Sequence, residues 1–394
     1  MNAAVPLLPD VDFAYDAVPN LHELLDQLRP FGPVVRVKYL GAPVWLILAH
    51  AELDKAFNDL VNFDPSDGYQ LISAPSMGHT LQTMRGEEHR INRASVAGQF
   101  LPAKIRAYVE SLIDPVAHEL LDRLEGEREV DFVARFTRPY PFTVITRLLG
   151  IPVSDEPQLL EWAVKLIDFP WDPEGALRAK SGFDGYMSDI LAARRRAPTD
   201  DFVSMLVRAE FEGKTLDDER ILSFLRLLFP AGSDTTYKAA GSLFSCVLAK
   251  PSLRKQAMGS TADREALVSE GLRWQTPTAL LPRMATGDAV LGDAHIKKGE
   301  WVLFGITAAN NDPAVFPNPR AFDPSRDHRA LISFGRGVHF CLGMHLARRE
   351  LEAALRVVLA RFPKIRLKPG SPIDYIGGVL RGPQSVSVEL YGEP

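Results

Sequence analysis

Apolar residues recur at helical spacing through most of the middle of the chain. From about residue 86 to residue 275 such patterns dominate, interrupted by proline-rich loops. One long pattern runs from Thr215 to about Ala249, and Thr215 with Asp218 three residues later resembles an N-cap with a capping-box acid. Residues 342–362 form another pattern with one apolar face. These patterns predict a mostly helical protein.

Short β-branched runs lie outside that helical region. Residues 34–37 and 44–48 predict paired strands in a β-richer opening part, about residues 1–80. After residue 275 the pattern changes to short strands and turns, and residues 306–333 are loop-like with four prolines. No repeat, linker or convincing boundary divides the chain. We therefore expect one domain over residues 1–394, mainly α with a minor β region.

Composition and charge narrow the function classes. The 394-residue chain has a net charge of −5, which gives no reason to expect a nucleic-acid partner. No apolar run of about 18 residues predicts a membrane-spanning helix, and the first thirty residues do not resemble a signal peptide. The two cysteines, Cys246 and Cys341, are too far apart in sequence to suggest a disulfide framework. The cytoplasm is the simplest compartment, with Cys246 as a core residue.

Cys341 lies in a loop with three nearby glycines, just before a helical pattern. A helix start would direct backbone N–H groups toward the sulfur and favour a thiolate. A small buried cysteine is the plainest interpretation. Zinc needs further ligands nearby, and a nucleophile needs a base, which His339 could hardly be from two positions away. A haem-thiolate ligand needs one cysteine, a glycine-bearing loop and a following helix, and only this interpretation uses every feature.

The run around this cysteine, Phe-Gly-x-Gly-x-His-x-Cys-x-Gly, resembles the haem-binding signature of the cytochrome P450 family. The resemblance implies the cytochrome P450 fold, a single large triangular-prism domain, with haem b as the cofactor. It implies that Cys341 is the metal ligand, that Phe334 packs near the ligand loop and that His339 binds a haem propionate. Gly335 and Gly343 would let the backbone approach the porphyrin and the sulfur. The haem-ligand loop would span 334–343.

A second motif, Ala-Gly-Ser-Asp-Thr-Thr after Pro230, lies inside the long helical pattern. Proline, glycine and β-branched residues are poor helix formers, so we expect a kink or a widened groove here. By itself the run is more simply a packing kink with exposed polar residues. Beside the cysteine motif it resembles the family's oxygen-activating acid–alcohol pair. The resemblance implies that Asp234 feeds protons from solvent and that Thr235 holds the oxygen molecule and its water.

Glu270 and Arg273 lie three residues apart and so share a helix face. A solvated ion pair is the common meaning of such spacing, and it contributes little. The pair also resembles the family's Glu-x-x-Arg motif, and Arg326 resembles the third member of that network. The role implied for all three is structural.

His89 and Arg93 lie one helical turn apart and could bind carboxylates together. Surface pairs of this kind are frequent, so the spacing alone is weak evidence. It resembles the family's propionate-binding helix, and Arg283 matches another propionate-binding position. The resemblance therefore implies cofactor binding by all three.

The resemblance implies a monooxygenase that inserts one oxygen atom from O2 into a small-to-medium hydrophobic substrate. No flavin or iron–sulfur motif is evident, so electrons should come from a ferredoxin or flavodoxin with an NAD(P)H-dependent reductase. Arg336, Arg348 and Arg349 could present a cationic docking face to such an acidic carrier. Alternatively, they pair with Glu350, with Glu352 or with propionates.

By position in the family pattern, the substrate pocket should draw on residues 66–80 and 165–185 and on a set of mainly apolar residues, Phe229, Pro230, Ala231, Leu280, Leu281, Val379 and Leu380. Two rival functions stay open. One is a haem-thiolate enzyme that uses peroxide or catalyses a rearrangement, and the intact Asp234–Thr235 pair argues against it. The other is a haem-based sensor, which would not need that pair.

Overall fold

The computed structural model describes residues 7–153, 156–211 and 214–392. Helices predominate, as the sequence pattern predicts. In chain order they are α1 (Leu21–Leu28), α2 (His50–Asn58), α3 (Pro65–Ile72), α4 (Ala74–Met77), α5 (Gly86–Ala97), α6 (Pro102–Tyr108), α7 (Asp114–Asp122), α8 (Pro139–Leu149), α9 (Glu156–Lys165), α10 (Pro173–Arg196), α11 (Phe202–Arg208), α12 (Asp218–Ala249), α13 (Pro251–Ala257), α14 (Thr261–Trp274), α15 (Ile306–Asn310) and α16 (Met344–Arg361).

The strands are short. They are β1 (Leu7–Asp12), β2 (Val34–Tyr39), β3 (Ala42–Ile47), β4 (Glu129–Asp131), β5 (Glu210–Phe211), β6 (Lys214–Thr215), β7 (Leu280–Met284), β8 (Ala289–Leu291), β9 (Ala294–Ile296), β10 (Trp301–Gly305), β11 (Arg366–Leu367), β12 (Tyr375–Ile376), β13 (Gly382–Pro383) and β14 (Ser387–Glu389). The largest sheet has the order β1-β2-β3-β10-β7, so strands from both ends of the sequence meet in it. Both predicted opening strands are present, as β2 and β3.

The opening part of the chain holds the strands β1, β2 and β3, and also four helices that the sequence analysis did not predict. Helix α1 lies between β1 and β2, and α2, α3 and α4 follow β3. The apolar residues of α1 cover one face of the main sheet, and Phe57 of α2 packs with Phe304 of β10 on the other. Because each strand alternates its side chains between two faces, each face needs its own apolar cover. The sequence pattern of strands alone does not reveal these covering helices. The segment 306–333 likewise begins with a short helix, α15.

The long helix α12 begins later than predicted. Its N-cap is Asp217, whose carboxylate accepts the N–H of Arg220 at 2.7 Å. Thr215 instead pairs with Glu210 in the β5–β6 hairpin, so it cannot cap the helix. The helix then continues through Pro230 to Ala249 without a break. It packs against α8, α10, α14 and α16, and most of its side chains are buried, as expected of a helix at the centre of a core.

Helix α16 follows the cysteine loop and buries most of the apolar face that the sequence pattern predicts. The loop closes on itself, because the N–H of Cys341 donates to the carbonyl of Phe334 at 2.9 Å. Gly335 and Gly337 adopt φ angles of 71° and 69°, a left-handed conformation that favours glycine. No helix within the described ranges has the length and apolar character needed to cross a membrane.

Candidate active site

Two adjoining cavities lie beside α12. The first, a slot of about 300 Å³, is lined by the cysteine loop, by α12 and by His89, Arg93 and Arg283. The second, of about 510 Å³, is called here the distal cavity. Ala231, Thr235 and Leu281 line both spaces, so the two are contiguous. Most residues that the sequence motifs single out therefore meet around one space.

Cys341 lines the slot and is accessible from it. Burial raises the pKa of its thiol, although backbone N–H groups of Gly343 and Met344 and the charge of Arg93 act in the opposite direction. The helix start thus favours the thiolate, as the sequence suggests, but burial is the larger effect. A bound metal ion would change this balance, since a coordinating thiol loses its proton. Among the described residues, no three or more His, Cys, Asp and Glu side chains cluster as a metal site, which leaves the zinc interpretation without support.

Five basic side chains line the slot: His89, Arg93, Arg283, Arg336 and His339. Of these, Arg336 lies 3.4 Å from the Asp54 carboxylate. The ring centroids of His89 and His339 lie 4.1 Å apart, and the buried Nε2 atom of His89 has no hydrogen-bond partner among the described residues. Burial and the positive field of its neighbours lower the pKa of His339 to about 3. Within the described chain neither Arg93 nor Arg283 forms an ion pair; Arg93 donates to the carbonyl of Phe340 at 2.5 Å, and Arg283 to the Tyr69 hydroxyl at 3.0 Å.

This arrangement fits a flat group with two carboxylates and a central metal ion. Apart from Arg336, these basic side chains have no ion pair in the described chain, and an unpartnered imidazole nitrogen is costly when buried. At Gly343, which lines the slot, an added Cβ atom would meet no protein atom within 4 Å. The protein's own packing therefore does not require glycine there, and a close ligand would. Haem b has the propionates and the iron that this donor set calls for.

Asp234 and Thr235 both reach the distal cavity, and Thr235 also borders the slot. The hydroxyl of Thr235 donates to the carbonyl of Ala231 at 3.1 Å. Asp234 is 7% exposed; its Oδ1 atom contacts Lys238 Nζ at 2.5 Å, whereas its buried Oδ2 atom has no partner among the described residues. Helix α12 runs through the motif without a break, and the hydroxyl of Ser233 donates to the carbonyl of Phe229 at 3.2 Å. Lys238 was missed, although an acid and a lysine four residues apart are a recognisable helical pair.

The distal cavity is mostly apolar, and five of the seven predicted pocket residues line it: Pro230, Ala231, Leu281, Val379 and Leu380. The two ranges expected from the sequence, 66–80 and 165–185, also contribute to the lining. The residues concerned are Tyr69, Ile72, Ser73, Met77, Ile167, Asp168, Pro170 and Trp171. Phe229 does not line the cavity, because it is fully buried and its ring stacks on Phe183 at 5.4 Å. Leu280 does not, because neighbouring residues of a strand point to opposite faces and its side chain joins the sheet core.

Tyr39, Gln82 and Thr278 also line the distal cavity, and the sequence analysis missed them. They are polar and widely separated along the chain. No local motif marks them, so only the fold reveals that they share a cavity.

Glu270 and Arg273 are fully buried and form a two-pronged ion pair at 2.7 and 2.8 Å. Arg326 approaches Glu270 at 3.4 Å and donates hydrogen bonds to the carbonyls of Pro317 and Asn318. His328 Nε2 lies 3.0 Å from the same carboxylate, a fourth member that no local spacing indicated. The network joins α14 to the segment before the cysteine loop.

None of the three arginines near the cysteine pairs with Glu350 or Glu352, the two protein partners that the alternative interpretation named. Arg336 lies 3.4 Å from Asp54 and Arg349 lies 2.6 Å from Glu265. Arg348 donates to the hydroxyl of Ser269 at 2.6 Å. The alternative partners are occupied or apart, since Glu352 pairs with Arg264 and the Glu350 carboxylate has no partner among the described residues.

Comparison with known proteins identifies the family. A family model described as Cytochrome P450 matches residues 264–389. The biotin biosynthesis cytochrome P450 of Bacillus subtilis (strain 168) is 30% identical, with 88% of this chain and 90% of the relative covered. The mycinamicin IV hydroxylase/epoxidase of Micromonospora griseorubida is 30% identical, with 92% and 94% covered. The solved structure of the polyketide synthase cytochrome P450 PksS of Bacillus subtilis 168 superposes with a TM-score of 0.85 at 31% identity, covering 95% and 97%.

The chain belongs to the cytochrome P450 family. Its fold is the cytochrome P450 fold, mainly α with a minor β region, which confirms the prediction from sequence. It is a monooxygenase of the oxidoreductase class, and the cofactor of the family is haem b held by a cysteine thiolate.

Proposed function

We propose that Cys341 supplies the thiolate ligand of haem b in the slot, with Phe334 and Gly343 beside it. The observation that carries this proposal is the meeting of one accessible cysteine with five basic side chains, four of them without an ion pair in the described chain, in a slot that adjoins an apolar cavity. His89, Arg93, Arg283 and His339 would hold the two propionates by charge-assisted hydrogen bonds. Haem b, when bound, supplies the redox-active iron at which O2 is reduced and one oxygen atom passes to the substrate.

The protein's own contribution to oxygen activation is proton handling at Asp234 and Thr235. The free Oδ2 atom of Asp234 can accept and release a proton at the cavity wall, since only Oδ1 is held by Lys238. The Thr235 hydroxyl has its proton directed to Ala231, so its lone pairs can accept a hydrogen bond. Acid and alcohol on one helix thus form a short relay toward the slot.

The substrate we propose is a small-to-medium hydrophobic organic molecule, bound in the distal cavity. Side chains such as Ile72, Met77 and Leu227 give this cavity its apolar wall. The cavity volume of about 510 Å³ suits a drug-sized ligand. An apolar wall orients such a molecule beside Thr235 and excludes bulk water. The reaction proposed is hydroxylation or a related oxidation.

Electrons would come from a separate carrier, a ferredoxin or flavodoxin served by an NAD(P)H-dependent reductase. Support comes from the sequence, which has no evident flavin or iron–sulfur motif. The face around Arg336, Arg348 and Arg349 is the proposed docking site, although two of these arginines already have an acidic neighbour. We place the protein in the cytoplasm, in keeping with two free cysteines.

The reduced carbon monoxide spectrum tests the thiolate ligand. We expect wild-type protein and the Cys246→Ser variant to show the red-shifted Soret band of a thiolate-bound haem, and Cys341→Ser to lose that shift. A wild-type spectrum without the shift would contradict the proposal. Substrate-dependent NADH consumption with added carriers then separates the monooxygenase from its two rivals. A peroxide-using enzyme would oxidise its substrate without a carrier. A haem-based sensor would consume no NADH even when the carriers are added.

A further inference from the structure

Tyr39 lines the distal cavity and does not line the slot. It lines the cavity together with Ala14, Trp171 and Gly378, and none of these four borders the slot. Tyr39 ends strand β2 at a tight turn, where Leu40 has a φ of 52°. The carboxylate of Asp12 accepts the N–H groups of Leu40 and Gly41 at 3.1 and 2.7 Å. The turn is thus pinned, and the position of the tyrosine is set before any ligand arrives.

The hydroxyl of Tyr39 has no hydrogen-bond partner among the described residues, although the residue is only 2% exposed. Buried polar groups are normally hydrogen-bonded, so this one calls for an explanation. Burial and the nearby Tyr69 and Asp12 raise the pKa of Tyr39, which keeps the phenol protonated. Because Tyr39 also lines the distal cavity, the free group is a donor at the edge of a space that a ligand could fill.

Charges around the cavity indicate which acceptor suits this donor. Three carboxylates line it, those of Asp16, Asp168 and Asp234, against a single ammonium group, Lys238. Lys238 is bound to Asp234 and Lys165 is bound to Asp168, so among the described residues Asp16 is the carboxylate without a cationic partner. An anionic ligand would meet this negative charge, and a pure hydrocarbon would leave the Tyr39 hydroxyl without a partner. A neutral oxygen acceptor avoids both costs.

We propose that Tyr39 is a specificity-determining residue that donates a hydrogen bond to a neutral oxygen of the substrate, such as a ketone, ester or alcohol oxygen, at the end away from the reacting carbon. This inference rests on the proposed function, because it places the substrate in the distal cavity with its reacting end at the slot. It narrows the substrate class to neutral oxygenated hydrophobic molecules, and disfavours both hydrocarbons and fatty-acid anions.

The test uses haem-loaded protein and probes that the iron anchors. These are 1-alkylimidazoles of increasing chain length that end in an acetyl group, in an isopropyl group of the same shape, or in a carboxylate. Imidazole coordination shifts the Soret band, so spectral titration gives Kd. For the chain length that reaches Tyr39, Tyr39→Phe should weaken acetyl binding roughly threefold to tenfold. Isopropyl binding should stay the same or tighten.

The control variant is Tyr15→Phe, which changes a neighbouring tyrosine that is 62% exposed and does not line the cavity. It should leave all affinities unchanged. The inference is overturned if Tyr39→Phe alters acetyl and isopropyl probes equally at every length, or if wild type prefers the carboxylate. A lower thermal midpoint of ligand-free Tyr39→Phe would also overturn it, since the hydroxyl would then be bonded within the protein. A missing thiolate signature in the carbon monoxide spectrum, measured first, marks failure of the proposed function instead.

Discussion

The single residue that most changes the view of the proton relay is Lys238. A buried carboxylate without a cation is costly, whereas one bound to an ammonium group can stay charged. Asp234 holds Lys238 Nζ at 2.5 Å, and the same nitrogen lies 2.9 Å from the Tyr237 hydroxyl. The acid of the family motif is therefore held as half of an ion pair on one helix. Its second oxygen is left free for proton exchange.

We predict that Lys238→Met slows substrate-dependent NADH consumption roughly tenfold or more, because proton transfer contributes at least that much to such reactions. Without Lys238, the Oδ1 atom of the buried Asp234 loses the partner that holds it on the helix, so the acid is no longer fixed in position for the relay.

Two companion variants make this prediction specific. Lys238→Arg keeps a cation within reach of Asp234 and should retain most of the rate. In an Asp234→Asn background, Lys238→Met should have little further effect, because the two residues act as a unit. Additive losses in the double variant would show that Lys238 acts elsewhere.

Among individual residues, the sequence analysis singled out those that belong to short motifs. Cys341, Asp234 and Glu270 each sit in a run whose spacing alone is informative. Tyr39 and His328 have no such run, because their partners are brought near only by the fold. Two patterns in the sequence could have improved these predictions. The i, i+4 spacing of Asp234 and Lys238 indicates an ion pair on a helix, and the alternation of side chains along a strand separates Leu280 from Leu281.

Among the secondary-structure elements, α12 depends on close approach to its neighbours. An added Cβ atom at Gly232 would lie 2.6 Å from the side chain of Ile145 on α8, so only glycine fits. Arg226, which is fully buried, binds Asp184 of α10 at 2.7 Å and donates to the carbonyl of Met77 at 2.9 Å. The sequence predicted this helix from its periodicity. It could not reveal these ties, whose partners lie far away along the chain.

Helix α14 is fixed to the segment before the cysteine loop by Glu270. Burial alone would raise the pKa of Glu270, but hydrogen bonds from Arg273, His328 and the backbone of Asp323 outweigh it and lower the pKa below its usual 4.5. A carboxyl with a lowered pKa in the folded state contributes stability above its unfolded pKa, and this stability is lost as pH falls. The contact between α14 and the segment before the cysteine loop should therefore become less stable at acidic pH.

We predict that Glu270→Gln lowers the free energy of unfolding by about 3–5 kcal/mol at neutral pH, because Arg273 is left buried without its anion. The difference in unfolding free energy between wild type and variant should narrow as pH falls below about 4.5, the pKa of Glu270 in the unfolded chain. In that range wild-type Glu270 itself becomes protonated. Denaturant unfolding over a pH series measures this. Glu119→Gln removes a more exposed partner of Arg147 and should cost much less. A difference in unfolding free energy that is the same at every pH would show that the charge of Glu270 does not stabilise the fold.

For the whole molecule, the distribution of charge bears on the proposed electron carrier. A protein with a net charge of −5 repels an acidic carrier at long range, so docking needs a local cationic face. The face around Cys341 has three arginines, but Asp54 and Glu265 offset two of them. The sequence showed these arginines and could not show their neighbours, which come from distant parts of the chain. The attraction expected of this face is correspondingly modest.

Glu265 allows that face to be tested in both directions. We predict that Arg349→Glu weakens binding of an acidic ferredoxin roughly threefold at low salt and reduces the salt dependence. Glu265→Gln frees Arg349 from its 2.6 Å ion pair and should tighten binding instead. Arg178→Glu, on α10, makes the same charge change at an arginine that also has an acidic neighbour but is not part of the proposed face, and it should have little effect. Titrations at several salt concentrations measure all three, and equal responses to the two arginine reversals would show that only net charge matters.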